Sequence, residues 1–269
     1  MLQAKFHSET NGKVAVDTVE LFLIRLYFVD SLEEKFMWIL RFATVRQIRD
    51  FLMKNSAIDL HYPTPNLRTP VTSAIDRGDP QILSLLLDKS STTLDDTVTQ
   101  PYGKTALMYA SFVSRNSEIL QVLLKKGADP EKMDIRGWTC LQYAIIGERL
   151  KNVSFLLDYG VPVNKKDFRG RTSLMTSVYR SNLDILSLLL DYGADINAKD
   201  NMGFTALQIA ILWRKRDAAI VLIEKGSDMN VFTPLTKASI GELCRTCMPN
   251  VLRCLEPEIR TLPKLWDDE

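Results

Sequence analysis

Short apolar runs recur along the chain at an almost constant distance, and each is followed by a glycine. The run at residues 119–124 stands just before Gly127. Equivalent glycines recur every 33 residues, at Gly127, Gly160, Gly193 and Gly226. This arrangement predicts short helices, each closed by a glycine in the left-handed conformation that satisfies the last helical turn.

A second recurring position, a threonine followed by small or apolar residues, marks the start of each unit. The threonines are spaced by 36, 34, 33 and 33 residues, at Thr69, Thr105, Thr139, Thr172 and Thr205. A threonine here predicts an N-cap, because its hydroxyl accepts from the free N–H groups of the first turn. In four copies a glycine stands two residues earlier, where a tight turn requires a positive φ: Gly103, Gly137, Gly170 and Gly203.

Each unit is therefore predicted to consist of a turn, a helix, a short break and a second helix that ends at a glycine. Helices of about two turns are marginal alone, so their apolar faces must be buried by the next unit. The pattern predicts an all-α solenoid of helix-turn-helix units joined by hairpin loops. These features resemble the ankyrin repeat family, whose unit of about 33 residues carries a Thr-Pro-Leu-His-x-Ala signature. The chain departs from that signature at the histidine, which is replaced by Thr72, Met108, Gln142, Met175 and Gln208.

The resemblance suggests a division of the chain into four parts. Residues 67–230 would form five repeats, and residues 31–66 look like a degenerate sixth repeat with two apolar segments. Residues 1–30 would form an amino-terminal extension with a capping helix, because a terminal repeat must cover one stacking face. Residues 231–269, where the 33-residue period fails, would form a short helical carboxyl-terminal module.

In the ankyrin family, positions four and seven residues after the signature threonine face a groove that binds protein targets. The predicted groove residues here are largely aromatic or aliphatic: Tyr109, Phe112, Tyr143, Ile146, Tyr179, Ile209, Leu212 and Trp213. Such rings suit protein binding, because they bury much area at a small entropic cost. The alternative is that some of them fill space between repeats. The turn tips at residues 134–136, 167–169 and 200–202 form a second predicted contact zone, although their aspartates could instead only brace the turns.

The carboxyl-terminal segment contains one further amphipathic pattern. Ser239 is a suitable N-cap. The apolar residues that follow share one helical face: Ile240, Leu243, Cys244, Cys247, Met248 and Val251. Such a helix can close the last repeat or dock in the groove of another protein.

This segment resembles the SOCS box, a short module found behind ankyrin arrays. The resemblance implies that elongin C, with elongin B, binds the residues Ile240, Leu243, Cys244 and Met248. It also implies cullin-facing residues at Ile259, Leu262 and Pro263, with cullin-5 and its RING partner as the expected ligase components. Two departures stand out: the distal Leu-Pro-x-Pro stretch retains only Leu-Pro, and Pro249 would kink or end the helix near Met248.

Composition adds little sign of catalysis. The 269 residues include 34 basic and 33 acidic residues, so a net charge of +1 predicts neither nucleic-acid nor membrane binding. Only two histidines, His7 and His61, are present, and no nucleotide-binding, nucleophile-elbow or kinase motif is found. We therefore expect no enzyme activity, no cofactor and no metal. Cys244 and Cys247 could form a metal or redox pair, but structural zinc requires four ligands and only Cys254 lies nearby.

Two functions remain as hypotheses, with a cytosolic enzyme using the cysteine pair as a distant third. The resemblance implies an adaptor that recognises the substrate of an elongin BC–cullin–RING ubiquitin ligase and holds an unidentified target in its groove. The alternative is an ankyrin scaffold or inhibitor whose last helices only cap the array.

Four cysteines and the absence of a signal-like start suggest the cytoplasm, with the nucleus also open. The apolar stretch at residues 14–29 contains Asp17, Glu20 and Arg25, so it predicts a buried helix rather than a membrane span.

Overall fold

The computed structural model describes residues 31–55, 58, 60, 69–89, 95 and 103–229. The predicted amino-terminal extension and the predicted SOCS-box-like segment lie outside these residues. The described part contains twelve α-helices: α1 (Leu32–Phe42), α2 (Val45–Lys54), α3 (Pro70–Arg77), α4 (Pro80–Lys89), α5 (Ala106–Val113), α6 (Ser117–Lys125), α7 (Cys140–Ile146), α8 (Leu150–Asp158), α9 (Ser173–Arg180), α10 (Leu183–Asp191), α11 (Ala206–Leu212) and α12 (Arg216–Glu224).

The helices form six pairs that stack in chain order. Each odd-numbered helix contacts the even-numbered helix that follows it, as α7 contacts α8. It also contacts the odd-numbered helix of the next pair, and the even-numbered helices contact one another in the same way. Contacts of this kind between successive units define a solenoid, so the predicted all-helical ankyrin-type architecture is confirmed. The pair α1–α2 occupies the segment interpreted as a degenerate repeat.

Threonine N-caps begin the odd-numbered helices from α3 onward, as the sequence predicts. The hydroxyl accepts from the backbone N–H three residues later at Thr69, Thr105, Thr172 and Thr205. In three units a side-chain oxygen accepts from the threonine N–H: Thr72 Oγ1 at 2.9 Å, Gln142 Oε1 at 3.0 Å and Gln208 Oε1 at 2.9 Å. In a fourth unit the Met108 sulfur accepts from the Thr105 N–H at 3.5 Å. Hydroxyl and amide oxygens therefore complete the cap at the position where the family signature carries histidine.

Both helices of each pair contribute to the apolar core, and four of the even-numbered helices, α6, α8, α10 and α12, are followed by a left-handed glycine. Gly160 follows α8 with φ +95°, and nothing lies within 4 Å of the position a Cβ would take. The glycine is required by its left-handed backbone rather than by lack of space. Within the same unit, Asn152 of α8 is buried and its Nδ2 donates to the carbonyls of Ser111 (3.3 Å) and Ser114 (2.9 Å), which ties α8 to the end of α5.

Candidate protein-interaction surface

The eight predicted groove residues lie on the odd-numbered helices α5, α7, α9 and α11, or directly after α11. We call this set the first-helix row. Four members are half-buried, namely Tyr109, Phe112, Ile146 and Tyr179. At the α11 end, Leu212 is exposed and Trp213 is 62% exposed. These six residues are accessible to a partner, and whether they bind a target stays a prediction.

Two members of the row are buried, which corrects the expectation that they face the groove. Tyr143 is 2% exposed and Ile209 is 3% exposed. The aliphatic side chain of Ile209 lies in the core cluster with its helix neighbours Ala206 and Ala210. The alternative interpretation, in which some members of the row fill space between repeats, is the correct one for these two residues.

The burial of Tyr143 has a specific cause in the hairpin turn that precedes α7. Its hydroxyl donates to Asp134 Oδ2 (2.8 Å) and accepts from Arg136 Nη2 (2.7 Å). Its ring makes edge contacts with Phe112 and Trp138, at centroid distances of 6.5 and 5.6 Å. Burial, reinforced by the hydrogen bond to Asp134, raises the pKa of Tyr143 above its ordinary value. Tyr143 therefore links the hairpin turn to α7.

Tyr109, one repeat earlier in the same column, has a different environment. Its hydroxyl donates to Asp76 Oδ1 of α3 at 2.7 Å, on an exposed part of the row. Lys104 lies between the two units, with Nζ 5.2 Å from the Phe112 ring centroid and 4.7 Å from that of Tyr143. Burial, followed by the nearby Arg136 charge, lowers the pKa of Lys104. This end of the row combines aromatic faces with a cation held against them.

At the other end of the row, Tyr179 and Trp213 form an edge contact with ring centroids 5.5 Å apart. Among the residues that the structure describes, no tyrosine–carboxylate–arginine cluster like that of Tyr143 links them to the preceding turns. An aromatic pair of this kind offers a large, preordered apolar area to a partner.

The tips of three hairpin turns form a second accessible surface. In each tip an aspartate Oδ1 accepts from the backbone N–H groups two and four residues later, at distances of 2.8–2.9 Å, as found for Asp134, Asp167 and Asp200. The aspartates therefore brace the turns, as one of the two interpretations of these residues predicts.

Successive tips are also joined to one another by the backbone. The N–H of Phe168 donates to the carbonyl of Arg136 (3.2 Å), and the N–H of Asn201 donates to the carbonyl of Arg169 (2.9 Å). Gly137 has φ +79°, and a Cβ there would lie 2.6 Å from the Phe168 nitrogen. Glycine is needed at this tip both for its conformation and for the close approach of the next turn.

The tips carry exposed apolar side chains on this rigid frame. Ile135 is 66% exposed and Phe168 is 64% exposed, and Met202 on the third tip is exposed as well. Large apolar residues in a row at the surface are typical of interaction sites.

Among the described residues, no group of three or more histidine, cysteine, aspartate or glutamate side chains could hold a metal ion. Cys140 is a free, buried thiol whose pKa is raised to about 12 by burial. In the same part of the chain, no helix is long and apolar enough to cross a bilayer. The predicted elongin-facing and cullin-facing residues all lie outside the described residues.

The stacked helix pairs, threonine caps and braced hairpins together define a repeat scaffold with exposed apolar side chains. A family model described as ankyrin repeats (3 copies) matches residues 37–134, 113–200 and 164–233, more than half of the chain. The chain belongs to the ankyrin repeat family. It is an ankyrin repeat scaffold for protein–protein interaction.

Two further comparisons agree with this assignment. The chain is 32% identical over 93 residues to the ankyrin repeat domain-containing protein SAT10 of Stachybotrys chartarum, a match that spans 35% of this chain and 4% of that protein. The crystal structure of the ankyrin repeat domain of Bcl-3, a member of the IκB protein family, superposes with a TM-score of 0.68. That match has 24% identity and covers 81% of this chain and 97% of the Bcl-3 chain, so it establishes the shared fold.

Proposed function

We propose that this ankyrin repeat protein is the substrate-recognition adaptor of an elongin BC–cullin–RING ubiquitin ligase. The observation that carries the proposal is the position of the SOCS-box-like frame. The repeats matched by the family model end at residue 233, and the frame begins at Ser239 and continues through Ile240, Cys244 and Met248. An amphipathic segment with this spacing, placed directly behind an ankyrin array, is the arrangement that the SOCS-box resemblance describes.

In this proposal the carboxyl-terminal helix binds elongin C. Ile240 enters an apolar pocket of elongin C, and Leu243 lies on the same helical face. The small side chain of Cys244 permits close approach of the two helices. In this proposal Pro249 kinks or ends the helix near Met248, so the contact is confined to about two helical turns.

The remaining segment would contact the cullin through Ile259, Leu262 and Pro263, with cullin-5 as the expected partner. The ankyrin array would bind the target protein through the accessible members of the first-helix row. The chain itself supplies no chemistry in this scheme. It raises the effective concentration of the target near the ubiquitin-conjugating enzyme that the RING subunit recruits.

Co-elution of the full chain with the elongin B–elongin C complex in size-exclusion chromatography tests the proposal. The wild-type chain should co-elute, and Ile240→Asp and Cys244→Phe should each abolish the complex, because they place a charge or excess volume in the apolar contact. Thr246→Asp is the matched control, because residue 246 lies about 120° around the helix from residue 240 and outside the apolar face. It should retain binding.

Two results would contradict the adaptor proposal. One is failure of the wild-type chain to co-elute with elongin B–elongin C at micromolar concentrations. The other is equal binding by wild type, Ile240→Asp and Cys244→Phe, which would show that this face is not the contact. The first result would leave an ankyrin scaffold without the ligase connection, and the second would end the SOCS-box assignment.

A further inference from the structure

The first two hairpin tips enclose a cleft that is separate from the first-helix row. It lies between the turn joining α6 to α7 and the turn joining α8 to α9, and its volume is about 370 Å³. Its lining combines apolar and cationic side chains, from Ile135, Arg136, Trp138, Phe168, Arg169 and Arg171. Because both turns are braced by buried aspartates, the shape of the cleft is set before any ligand arrives.

Two of the three arginines in the cleft have acidic partners. Arg136 Nε lies 3.2 Å from the buried Asp134 carboxylate, and its guanidinium stacks 3.8 Å from the Trp138 ring centroid. Arg171 Nε lies 3.2 Å from the buried Asp167 carboxylate. The Arg169 guanidinium is exposed and makes no ion pair or hydrogen bond with any residue that the structure describes. Its charge is therefore available to an anionic ligand.

The turn that carries Arg169 is strongly basic. Residues 159–172 contain four cationic residues and one acidic residue, for a formal charge of +3, whereas residues 126–139 contain three of each sign. Lys165 is paired with Glu131 of the preceding turn at 3.1 Å. Neither Lys166 nor Arg169 has an acidic partner among the described residues. The Lys166 ammonium donates instead to the Lys199 carbonyl at 2.8 Å. This local excess of positive charge attracts acidic groups to the cleft.

The apolar part of the cleft lies beside these charges. Ile135 and Phe168 are 66% and 64% exposed, on adjacent tips. The Phe168 ring lies over Gly137, since a Cβ on that glycine would be 2.9 Å from the ring Cδ1 atom. A ring held in this way loses little conformational entropy when a partner covers it.

We propose that this cleft binds an acidic protein segment in which glutamate or aspartate alternates with aromatic or large aliphatic residues. A carboxylate of the segment accepts hydrogen bonds from the Arg169 guanidinium, and the neighbouring apolar side chain packs against Phe168 and Ile135. A purely anionic ligand leaves the two apolar side chains exposed, and a purely apolar ligand leaves Arg169 without a partner. The surface goes beyond the adaptor proposal, because it operates whether or not the carboxyl-terminal segment binds elongin C.

Fluorescence anisotropy with labelled peptides and the full-length chain tests this inference. The probe repeats Glu-Phe-Glu-Leu three times, and the comparison peptides repeat Lys-Phe-Lys-Leu or Glu-Ala-Glu-Ala. A single-stranded RNA is a third comparison ligand, because it is a polyanion without apolar side chains. The Glu-Phe-Glu-Leu peptide should bind at least about tenfold more tightly than either comparison peptide or the RNA, and raised salt should weaken it.

Substitutions in the cleft locate the binding. Arg169→Glu and Phe168→Ser should each weaken the Glu-Phe-Glu-Leu peptide by about tenfold or more. Lys151→Glu and Tyr159→Ser are matched controls, because they change an exposed cation and an exposed ring at the second helix of the same repeat. Both should retain wild-type affinity, and Ile240→Asp should retain it as well.

Three outcomes would overturn the inference, and all can be read on the wild-type chain or its folded variants. The first is absence of binding by the Glu-Phe-Glu-Leu peptide. The second is equal binding of the Glu-Ala-Glu-Ala peptide or RNA, which would assign a general polyanion site. The third is equal loss of affinity in the cleft variants and their controls, with unchanged thermal melts.

Discussion

The α7 and α11 regions place aromatic residues in the same row of the solenoid, yet the two regions use them differently. In α7 the Tyr143 ring is 2% exposed and its hydroxyl is held between Asp134 and Arg136. After α11 the Trp213 ring is 62% exposed and contacts only Tyr179 among the described rings. Membership of the first-helix row alone therefore does not decide whether an aromatic residue lies in the core or at the accessible surface.

The difference originates in the hairpin turns. Asp134 and Asp200 occupy the same repeat position and brace their turns in the same way. Two residues later the first turn has Arg136 and the third has Met202. Because methionine has no donor, the α11 region cannot form a tyrosine–carboxylate–arginine cluster, and Ile209 fills the position of Tyr143 with apolar packing.

Removing the Tyr143 side chain should have the largest effect on stability. We expect Tyr143→Ala to lower the free energy of unfolding by about 3–5 kcal/mol, because it empties a buried site and leaves Asp134 and Arg136 without their shared partner. Urea titration followed by circular dichroism measures the change. A loss of less than about 1 kcal/mol would contradict the burial of Tyr143 and would indicate that its side chain lies at the accessible surface.

Removing only the hydroxyl isolates the polar part of the same cluster. Tyr143→Phe should lower the free energy of unfolding by about 1–2 kcal/mol at neutral pH, since packing is kept while a buried carboxylate loses a donor. Tyr192→Phe is the comparison variant, because its hydroxyl contacts Asp158 at an exposed position. It should change stability little, and equal effects from the two variants would contradict the difference in burial.

Alkaline pH should also separate wild type from Tyr143→Phe. Because burial and Asp134 raise the pKa of Tyr143 in the folded protein, the unfolded chain loses this proton first, above about pH 10. The protonated Tyr143 hydroxyl therefore stabilises the folded protein fully below that pH. This stabilisation is lost as pH rises through the folded-state pKa of Tyr143. Denaturation midpoints measured at several alkaline pH values should therefore fall more steeply for wild type than for the variant, and parallel curves would be evidence against a raised pKa.

Truncating Trp213 should change stability much less than truncating Tyr143. We expect Trp213→Ala to lower the free energy of unfolding by about 1 kcal/mol or less, because the ring is 62% exposed and meets Tyr179 in an edge contact. The same urea titration measures it. A loss comparable with that of Tyr143→Ala would place Trp213 in the core.

The smallest effect concerns the turn that follows Trp213. Arg214 has φ +55°, a left-handed conformation that Gly78 occupies in the equivalent α3–α4 turn at φ +74°. Arg214→Gly should raise the free energy of unfolding by about 0.5–1 kcal/mol by removing backbone strain. Lys215→Gly, at an ordinary φ of −86°, is the control and should give no increase. An equal gain from both would show that strain is not the cause.

The repeat architecture could be predicted from the sequence because it depends on local rules that recur. Threonine caps such as Thr205 and glycine stops such as Gly160 act within one turn of backbone, and the 33-residue interval makes them visible. The stacking of helix pairs could also be predicted, because short amphipathic helices must bury their apolar faces against one another.

The burial of Tyr143 could not be predicted in the same way. It depends on where the Arg136 side chain points and on a ring contact with Trp138. Neither can be derived from the spacing of residues within the repeat. The capping role of Gln142 was missed for a similar reason, since its amide replaces the expected histidine through a side-chain rotamer. A polar residue three positions after a threonine N-cap was the available signal.

The most direct measurement of the central claim is hydrogen–deuterium exchange of the full chain with and without elongin B–elongin C. We predict slowed exchange at residues 239–248 and unchanged exchange in α5–α11, which leaves the first-helix row and the hairpin tips open for a target. Unchanged exchange at residues 239–248, or protection on the first-helix row instead, would contradict an adaptor whose two ends bind different proteins.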